Sequence, residues 1–298
     1  MTTRPLPAVL MARPLAVAGD YVRLTKPRVI SLLLVTTAGA MFVAAAGVPD
    51  GWLLFWTMVG GYLAAGGANA INHYIDRDID GRMRRTTERP VVAGRVAPAR
   101  ALAFGIGLGV LSALVLGLAA NWLAAGLALL GLVLYVGVYT LWLKRTSVHN
   151  IVIGGSAGAV PPLVGWAAVT GDLNLSAWLL FAIVFYWTPP HFWALALMLQ
   201  RDYAAAGIPM LPVVRGVQET KRQILLWTLV MIGVSLLPVV SGAAGVTYLV
   251  SALALGAIFL VFAALLARDP GIRWARATFH YSLLYLALIF VALVIDVA

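Results

Sequence analysis

Long apolar runs, each ended by a short polar interruption, cover almost the whole chain. Each run is about 20 residues long, the length that a helix needs to cross a hydrocarbon core of roughly 30 Å. The pattern therefore predicts an all-α integral membrane protein with nine transmembrane helices. The predicted spans are residues 29–48, 52–71, 101–120, 122–143, 151–169, 176–199, 224–241, 246–266 and 278–297.

The first 20 residues do not follow this pattern. They contain several prolines and no long apolar run, so they are predicted to be a mobile tail rather than a signal peptide or a helix. Residues 21–298 are predicted to form one transmembrane domain. Polar residues concentrate in the loops after the second and the sixth spans. That spacing favours a parallel repeat of spans 1–4 and 5–8, followed by a ninth helix.

Lysine and arginine occur only in alternate loops. All 21 lie before residue 29, in 72–100, at 144–145, in 200–223 or in 267–277. Basic loops of membrane proteins stay in the cytoplasm. The N-terminus and these loops are therefore predicted to be cytoplasmic, with the C-terminus outside. This placement explains the net charge of +10 without any binding of nucleic acid.

The overall composition agrees with a membrane protein. The chain is 62% hydrophobic and 11% charged, whereas soluble domains are about 25% charged. Cysteine is absent, which excludes disulfides, thiolate metal sites and a cysteine nucleophile.

One polar stretch, residues 72–90, reads NHYIDRDIDGRMRRTTERP and holds three aspartates, one glutamate and five arginines. Asn72, Asp76 and Asp80 are spaced i, i+4, i+8, so they share one helical face, whereas Asp78 lies opposite. Stacked oxygens of this kind suit Mg2+, which takes one or two carboxylates and substrate phosphate oxygens. Forked phosphate donors follow at Arg82, Arg84, Arg85 and Arg89. The alternative is a solvated helix end with paired charges; the ordered spacing at a membrane boundary favours the site.

A second polar loop, residues 199–216, reads LQRDYAAAGIPMLPVVRG. Asp202 follows a long apolar span as Asp76 does. It is therefore a candidate ligand for a second metal ion, or for the other side of a diphosphate substrate held by the first acidic residues. Pairing with Arg201, or a helix cap, is the alternative. Lys144 and Arg145 lie in a short loop on the same side and are candidates for diphosphate contacts. The cations before the first span, Lys26 and Arg28, are assigned to membrane anchoring.

Two spans contain unusual residues. Residues 186–197, YWTPPHFWALAL, place His191 inside an apolar run after two prolines. An ionisable residue within a span is a functional candidate, and a buried structural histidine is the alternative. The glycines of 150–166, NIVIGGSAGAVPPLVGW, are assigned to close helix packing. The other three histidines, His73, His149 and His280, lie at span ends, where snorkelling to water is expected.

With these residues assembled, the chain from residue 21 to the end resembles the UbiA superfamily of intramembrane prenyltransferases. Asn72, Asp76 and Asp80 match the superfamily's N-x3-D-x3-D motif. Within the superfamily the chain is most similar to the protoheme IX farnesyltransferase (heme O synthase) branch. The stretches that carry this likeness are NHYIDRDIDGRMRRTTERP, NIVIGGSAGAVPPLVGW, WTPPHFWALAL and DYAAAGIPMLPVV. Many superfamily members carry two aspartates four residues apart in the second loop, but this chain has only Asp202 there, so the number of Mg2+ ions stays open.

The resemblance implies a nine-helix UbiA-type bundle in the plasma (inner) membrane, with a cavity open to the cytoplasm. It implies transfer of farnesyl from farnesyl diphosphate to a vinyl group of protoheme IX, with addition of water, to give heme O for terminal oxidase biogenesis. By analogy, Asn72, Asp76, Asp80 and Asp202 hold Mg2+ and diphosphate. His191 would face the heme, either touching iron or handling a proton. By the same analogy, the phosphates are contacted by Arg85, Arg89, Lys144 and Arg145.

Two other functions are weighed against this one. A UbiA-type enzyme with an aromatic, quinone-precursor acceptor is disfavoured by the TPPHFW and AGIPMLPV stretches. A non-enzymatic membrane carrier would carry ionisable residues at mid-membrane, whereas the charges here gather at one face. Docking of a heme A synthase or a terminal oxidase assembly is left open.

Overall fold

The computed structural model describes residues 14–297. Every regular element in that range is helical: fourteen α-helices and one π-helix, which runs from Leu134 to Leu143 between α6 and α7. The α-helices are α1 (Pro14–Thr25), α2 (Pro27–Ala44), α3 (Gly51–Ile75), α4 (Arg77–Asp80), α5 (Pro98–Ala119), α6 (Trp122–Val133), α7 (Lys144–Thr146), α8 (Asn150–Thr170), α9 (Leu175–Met198), α10 (Gln200–Ala205), α11 (Leu211–Val214), α12 (Gly216–Val240), α13 (Val246–Arg268) and α14 (Arg273–Val297).

Polar caps and prolines explain where several long helices begin. The side chains of Asp50, Asn121 and Asn174 each accept a hydrogen bond from the backbone N–H three residues on, at the starts of α3, α6 and α9. Pro27 and Pro98 occupy the first position of α2 and α5, where a proline loses no intrahelical hydrogen bond. The three side-chain caps lie in the short turns between α2 and α3, between α5 and α6, and between α8 and α9.

Eight helical segments of the described range are long and apolar enough to cross a membrane, so the chain is a multi-pass integral membrane protein. The remaining predicted span is α3. Its 25 residues are long enough to cross a bilayer, although it is not among the eight. Its C-terminal half holds Asn69, Asn72 and His73. Of these three polar residues, Asn72 was predicted to take part in the chemistry, and His73 was expected to snorkel to water.

The long helices close into one bundle. Successive spans pack side by side along the chain, and α14 contacts both α2 and α9, so the last span meets the first. The centre is formed by α8 and α9, which are 61% and 67% buried over their apolar windows, against 28% for α5. The helices that carry two of the four family-like stretches, residues 150–166 and 187–197, therefore form the core.

Glycines allow the closest helix contacts. A Cβ at Gly67 of α3 would lie 2.7 Å from the carbonyl oxygen of Gly105 on α5, and a Cβ at Gly155 of α8 would lie 2.7 Å from Thr188 on α9. The prediction that the glycines of 150–166 serve close packing is thus confirmed for Gly155.

Two predicted boundaries were wrong. The tail was predicted to extend to residue 20, but residues 14–20 belong to α1. This helix packs on the fold through Leu24, which is fully buried in a cluster with Ala70 and Val91. Residues 1–13 of the predicted tail lie outside the described residues. The seventh span was predicted to start at residue 224, but α12 begins at Gly216. Its polar first turns remain helical within the fold, where the buried Lys221 ammonium donates to the carbonyl oxygen of Asp269 at 2.5 Å.

Candidate active site

Asn72, Asp76 and Asp80, which were predicted to share one helical face and are called the acidic row below, lie at the junction of α3 and α4. The backbone stays nearly helical through the junction, since the N–H of Asp76 donates to the carbonyl of Asn72 at 2.9 Å and that of Asp80 donates to the carbonyl of Asp76 at 2.8 Å. Asn72 Nδ2 also donates to Asp76 Oδ2 at 2.6 Å, which confirms that these two side chains share a face. Asn72 is 3% exposed, and both aspartates are fully buried.

Each member of the row is paired with a cation. Lys26 Nζ donates to Asn72 Oδ1 at 2.8 Å, Lys144 Nζ lies 2.5 Å from Asp76 Oδ2, and Arg89 Nη1 lies 2.5 Å from Asp80 Oδ2. The pairs offset part of the cost of burying charge. Burial nevertheless raises the pKa of Asp80 above its ordinary value, against the pull of the Arg89 guanidinium. This is a site at which both signs of charge are held out of water.

One oxygen of each carboxylate remains unused. Asp76 Oδ1 and Asp80 Oδ1 are sealed from solvent and accept no hydrogen bond from the residues described, although Arg145 Nη2 lies 3.6 Å from the former. A buried polar atom without a partner commonly marks the place of a water or an ion. Two such oxygens beside the amide of Asn72 are the hard ligands that Mg2+ prefers, so these residues fit a divalent cation.

The predicted four-ligand metal set is not assembled as one cluster. Within residues 14–297, no three His, Asp or Glu side chains converge closely enough to hold a metal ion by themselves. Such a sparse donor set agrees with Mg2+ that completes its shell with waters and phosphate oxygens. The assignment of Asp202 as a ligand stays a prediction.

The C-terminal end of the π-helix lies against the acidic row. Thr140 Oγ1 accepts from Asn72 Nδ2 at 3.2 Å, and Lys144, just past the end of the π-helix, pairs with Asp76. Both pairs join residues 68 positions apart, so the two segments run parallel at this point. π-Helical turns are rare and often occur at functional sites. The sequence predicted an ordinary helix here, and it gave no signal for Thr140.

Arg145 is held by Asp78, the aspartate that was predicted to lie on the opposite helical face from the acidic row. Its guanidinium donates to both carboxylate oxygens of Asp78, at 2.7 and 2.8 Å, and to the carbonyl of Ile75 at 3.0 Å. The Arg145 guanidinium lowers the pKa of Asp78 to about 2. Asp78 therefore fixes Arg145 next to Asp76.

Lys26 belongs to this site, although sequence reasoning assigned it to membrane anchoring. It joins α1 to α2 in the left-handed conformation, with φ 56°, which costs a non-glycine residue roughly 1–2 kcal/mol. The following proline disfavours the right-handed helical region at this position. Burial, then the positive charges of Arg89 and Lys144, lower the pKa of Lys26 well below its ordinary value. The left-handed backbone at this position directs the Lys26 side chain toward Asn72.

We expect Lys26→Gly to separate the two roles of this residue. Glycine adopts φ 56° without strain, so the thermal midpoint of the purified protein is expected to stay level or rise. The rate of the reaction that this site promotes is expected to fall about 10- to 100-fold because one preorganised hydrogen-bond donor is lost. Arg28→Ala, which removes an exposed cation two residues away, is the matched control and should leave both unchanged. A reaction rate in Lys26→Gly equal to that of Arg28→Ala would contradict this role.

The second polar loop packs on the first. Tyr203, Ile208 and Met210 are buried in one apolar cluster with Ile79 and Met83, so the two predicted polar loops meet at the same end of the bundle. Asp202, the residue before Tyr203 in α10, is half-buried.

The Tyr203 hydroxyl also connects the loops. The Arg85 guanidinium lies beside it, and burial raises the pKa of this tyrosine despite that positive charge. Arg85 is thereby placed between the predicted acidic row and the loop of Asp202.

The histidines behave differently from one another. His191 lies in α9 and is 6% exposed, seven positions before Met198, the last residue of that helix. His149 and His280 are exposed, as expected for span ends. For His73 the expectation of snorkelling was wrong: it is 2% exposed, and neither ring nitrogen has a partner in the described structure.

A model of the UbiA prenyltransferase family matches residues 32–294. The chain belongs to the UbiA prenyltransferase family. A protein of Roseiflexus sp. (strain RS-1) named protoheme IX farnesyltransferase is 54% identical over 98% of this chain and 58% of its own length. A protein of Gloeobacter violaceus with the same name is 54% identical over 94% of this chain and 92% of its own length. The chain spans about half of the length of the Roseiflexus relative and of three others with the same name, between 46% and 58% of each.

Solved structures show the same fold. A digeranylgeranylglyceryl phosphate synthase superposes with a TM-score of 0.77 at 16% identity, over 94% of this chain and 98% of that one. A UbiA homologue from Archaeoglobus fulgidus, bound to DMAPP and Mg2+, gives a TM-score of 0.66 at 15% identity, over 92% and 99% of the two chains. The all-α UbiA fold predicted from the sequence is confirmed.

Proposed function

We propose that this chain transfers farnesyl from farnesyl diphosphate to a vinyl group of protoheme IX, adding water and releasing diphosphate to give heme O for terminal oxidase biogenesis. The observation that carries the prenyl-transfer chemistry is the buried row Asn72, Asp76 and Asp80, with one unused carboxylate oxygen on each aspartate. The choice of acceptor rests on relatives that are 54% identical and named protoheme IX farnesyltransferase.

The acidic row is the proposed metal site. Asn72, Asp76 and Asp80, with Asp202 from the adjoining loop, would hold Mg2+, which when bound supplies positive charge to a leaving diphosphate. A family member from A. fulgidus was solved with Mg2+ and a prenyl diphosphate, which supports this choice of metal.

The cations around the row are the proposed diphosphate contacts. Lys144 and Arg89 already touch the acidic side chains, and Arg145 is fixed by Asp78 at the same place. Arg85 lies close to Tyr203, which belongs to the adjoining loop. These donors are placed before the substrate arrives, so they can stabilise the charge that develops on the departing phosphate without reorganising.

The chain must also protect an allylic carbocation from water. Tyr135 and Tyr139 stack in the π-helix with ring centroids 5.6 Å apart, on the segment whose Thr140 hydroxyl accepts from Asn72. Aromatic faces stabilise a nearby cation, and the mostly apolar α8 and α9 exclude water from the interior. These tyrosines are the proposed partners of the prenyl cation until the vinyl group attacks.

The proposed setting is the plasma (inner) membrane. The placement of every Lys and Arg in alternate loops supports a cytoplasmic N-terminus, an outer C-terminus and an active site that faces the cytoplasm. Both predicted polar loops, which meet through Tyr203 and Met83, lie on that side in this topology.

The test is an assay of the purified chain in detergent with farnesyl diphosphate, Mg2+ and protoheme IX, analysed by mass spectrometry. Heme O is the expected product, and EDTA is expected to abolish it because Mg2+ neutralises the leaving group. Prenylation of 4-hydroxybenzoate in place of protoheme would establish the aromatic-acceptor function instead. No transfer to either acceptor, with intact protein by circular dichroism, would favour the membrane carrier.

A further inference from the structure

The ring of His191 packs between two aromatic side chains. Trp187, one turn earlier in α9, stacks on one face with centroids 4.2 Å apart and planes at 17°; Phe279 of α14 stacks on the other at 4.8 Å and 24°. The Trp187 indole N–H also donates to the carbonyl of Ser282 at 2.7 Å, which ties the two helices together. The imidazole plane is therefore fixed, and only its edges can meet a ligand.

The hydrogen bonds at one edge determine the tautomer. His191 Nδ1 lies 2.6 Å from Ser282 Oγ, and Ser282 Oγ lies 2.6 Å from the carbonyl oxygen of Phe279. A hydroxyl has one proton and a carbonyl can only accept, so Ser282 donates to Phe279. Nδ1 must then carry the proton and donate to Ser282 Oγ. The neutral ring is left with its lone pair on Nε2.

That lone pair has no protein partner in the part of the chain described. Both ring nitrogens of His73 and Nε1 of Trp193 are sealed from solvent without a hydrogen bond, whereas Nε2 of His191 is not among the sealed atoms. His191 lies roughly 10 Å along the α9 axis from Met198. The ring that carries this open lone pair therefore lies about two helical turns before the end of α9 at which the polar loops meet.

We propose that Nε2 of His191 is an axial ligand of the iron of an iron porphyrin, and that Ser282 is the positioning residue that keeps this nitrogen unprotonated. The proposal rests on the proposed heme-farnesylating function, whose acceptor it orients. The step forms one iron–nitrogen bond from an existing lone pair, and no electron is transferred to or from the iron. Histidine is a common haem ligand, and metal-binding histidines usually donate their other N–H to a neighbouring acceptor.

The surroundings favour iron binding over proton handling. Ligation uses the neutral ring as it stands. Protonation would place a positive charge at a site where the only hydrogen-bond partner seen is the neutral Ser282 hydroxyl, and burying an unpaired charge is costly.

The test compares hemin with iron-free protoporphyrin IX, each titrated into the full-length protein in detergent. For His191→Ala we expect the hemin Kd to rise about 30-fold, and for Ser282→Ala about tenfold, since the loss of an outer partner weakens metal binding by roughly 10- to 100-fold. Protoporphyrin IX, which has no iron, should bind all three proteins alike. The hemin Soret band should shift in His191→Ala, and imidazole should restore it in His191→Gly.

The exposed histidines supply the control, because hemin binds surface imidazoles adventitiously. His149→Ala and His280→Ala should bind hemin as the parent protein does. Heme O formation by the parent protein with an unchanged Soret band in His191→Ala would overturn the iron ligation and leave the proposed function standing. A parent protein that binds neither porphyrin would overturn both. Equal loss of hemin and protoporphyrin IX in His191→Ala would mean that the residue only shapes the pocket, which also refutes ligation.

Discussion

Asp76→Asn is expected to lower the rate of prenyl transfer by about 10³-fold, the upper end of what one preorganised charge contributes. Asp76 is fully buried, offers an unused Oδ1 and accepts from both Asn72 and Lys144 through Oδ2. Asparagine keeps the shape but removes the negative charge and one acceptor oxygen. The proposed metal then loses its central ligand, so the loss should appear in kcat and should not be recovered by excess Mg2+.

The same substitution leaves the ammonium of Lys144 buried without its counter-charge. Breaking one side of a buried pair costs about 3–5 kcal/mol, so reduced activity could arise from unfolding alone. The double variant Asp76→Asn/Lys144→Met removes both charges and is expected to recover thermal stability but not activity. The exposed Asp172→Asn serves as the matched control. Heme O formation within tenfold of the parent rate in Asp76→Asn would refute the assignment.

Gly165→Ala is expected to be the most destabilising single-methyl change in the bundle. A Cβ at this position of α8 would overlap the backbone carbonyl oxygen of Thr37 on α2, an atom that no side-chain rotation can move away. The two helices must separate to admit it. Overpacking of this kind costs about 3 kcal/mol, which corresponds to a fall in the thermal midpoint of roughly 6 °C.

Gly158→Ala on the same helix is the matched control. No atom lies within 4 Å of the Cβ that this substitution adds, and alanine is the better helix former by about 1 kcal/mol. Its midpoint by circular dichroism should be level with the parent or higher. Equal midpoints for the two variants would show that α2 and α8 slide apart freely. Because α2 begins directly after Lys26, a real separation should also lower prenyl transfer.

The multi-span helical architecture and the acidic row were predictable from the sequence because they depend on short-range patterns. Apolar run length gave the long helices, and four-residue spacing placed Asn72 beside Asp76, which their hydrogen bond confirms. Lys144 and Arg89 were predicted to contact a diphosphate. The structure places both at the acidic row, and the phosphate contact itself stays a prediction.

The π-helix, the role of Lys26 and the partner of His191 could not be predicted from short-range sequence patterns. The π-helix differs from an α-helix by one residue per hydrogen-bonded ring, and a uniformly apolar span shows no periodicity that could reveal this. Lys26 was missed because membrane anchoring already explained a cation there. The partner of His191 lies 91 positions away at Ser282, and such a pairing exists only once α9 and α14 pack together.

The pairing of the acidic row with lysine and arginine has a thermodynamic consequence. Without ligands, Lys144 and Arg89 neutralise the same carboxylates that would bind a divalent cation. A metal arriving alone must compete with those ammonium and guanidinium groups, and a diphosphate arriving alone must approach the carboxylates. When both are present, each takes over the partners that the other releases. Metal and diphosphate affinities should therefore be positively coupled, and by linkage the factor must be the same in both directions.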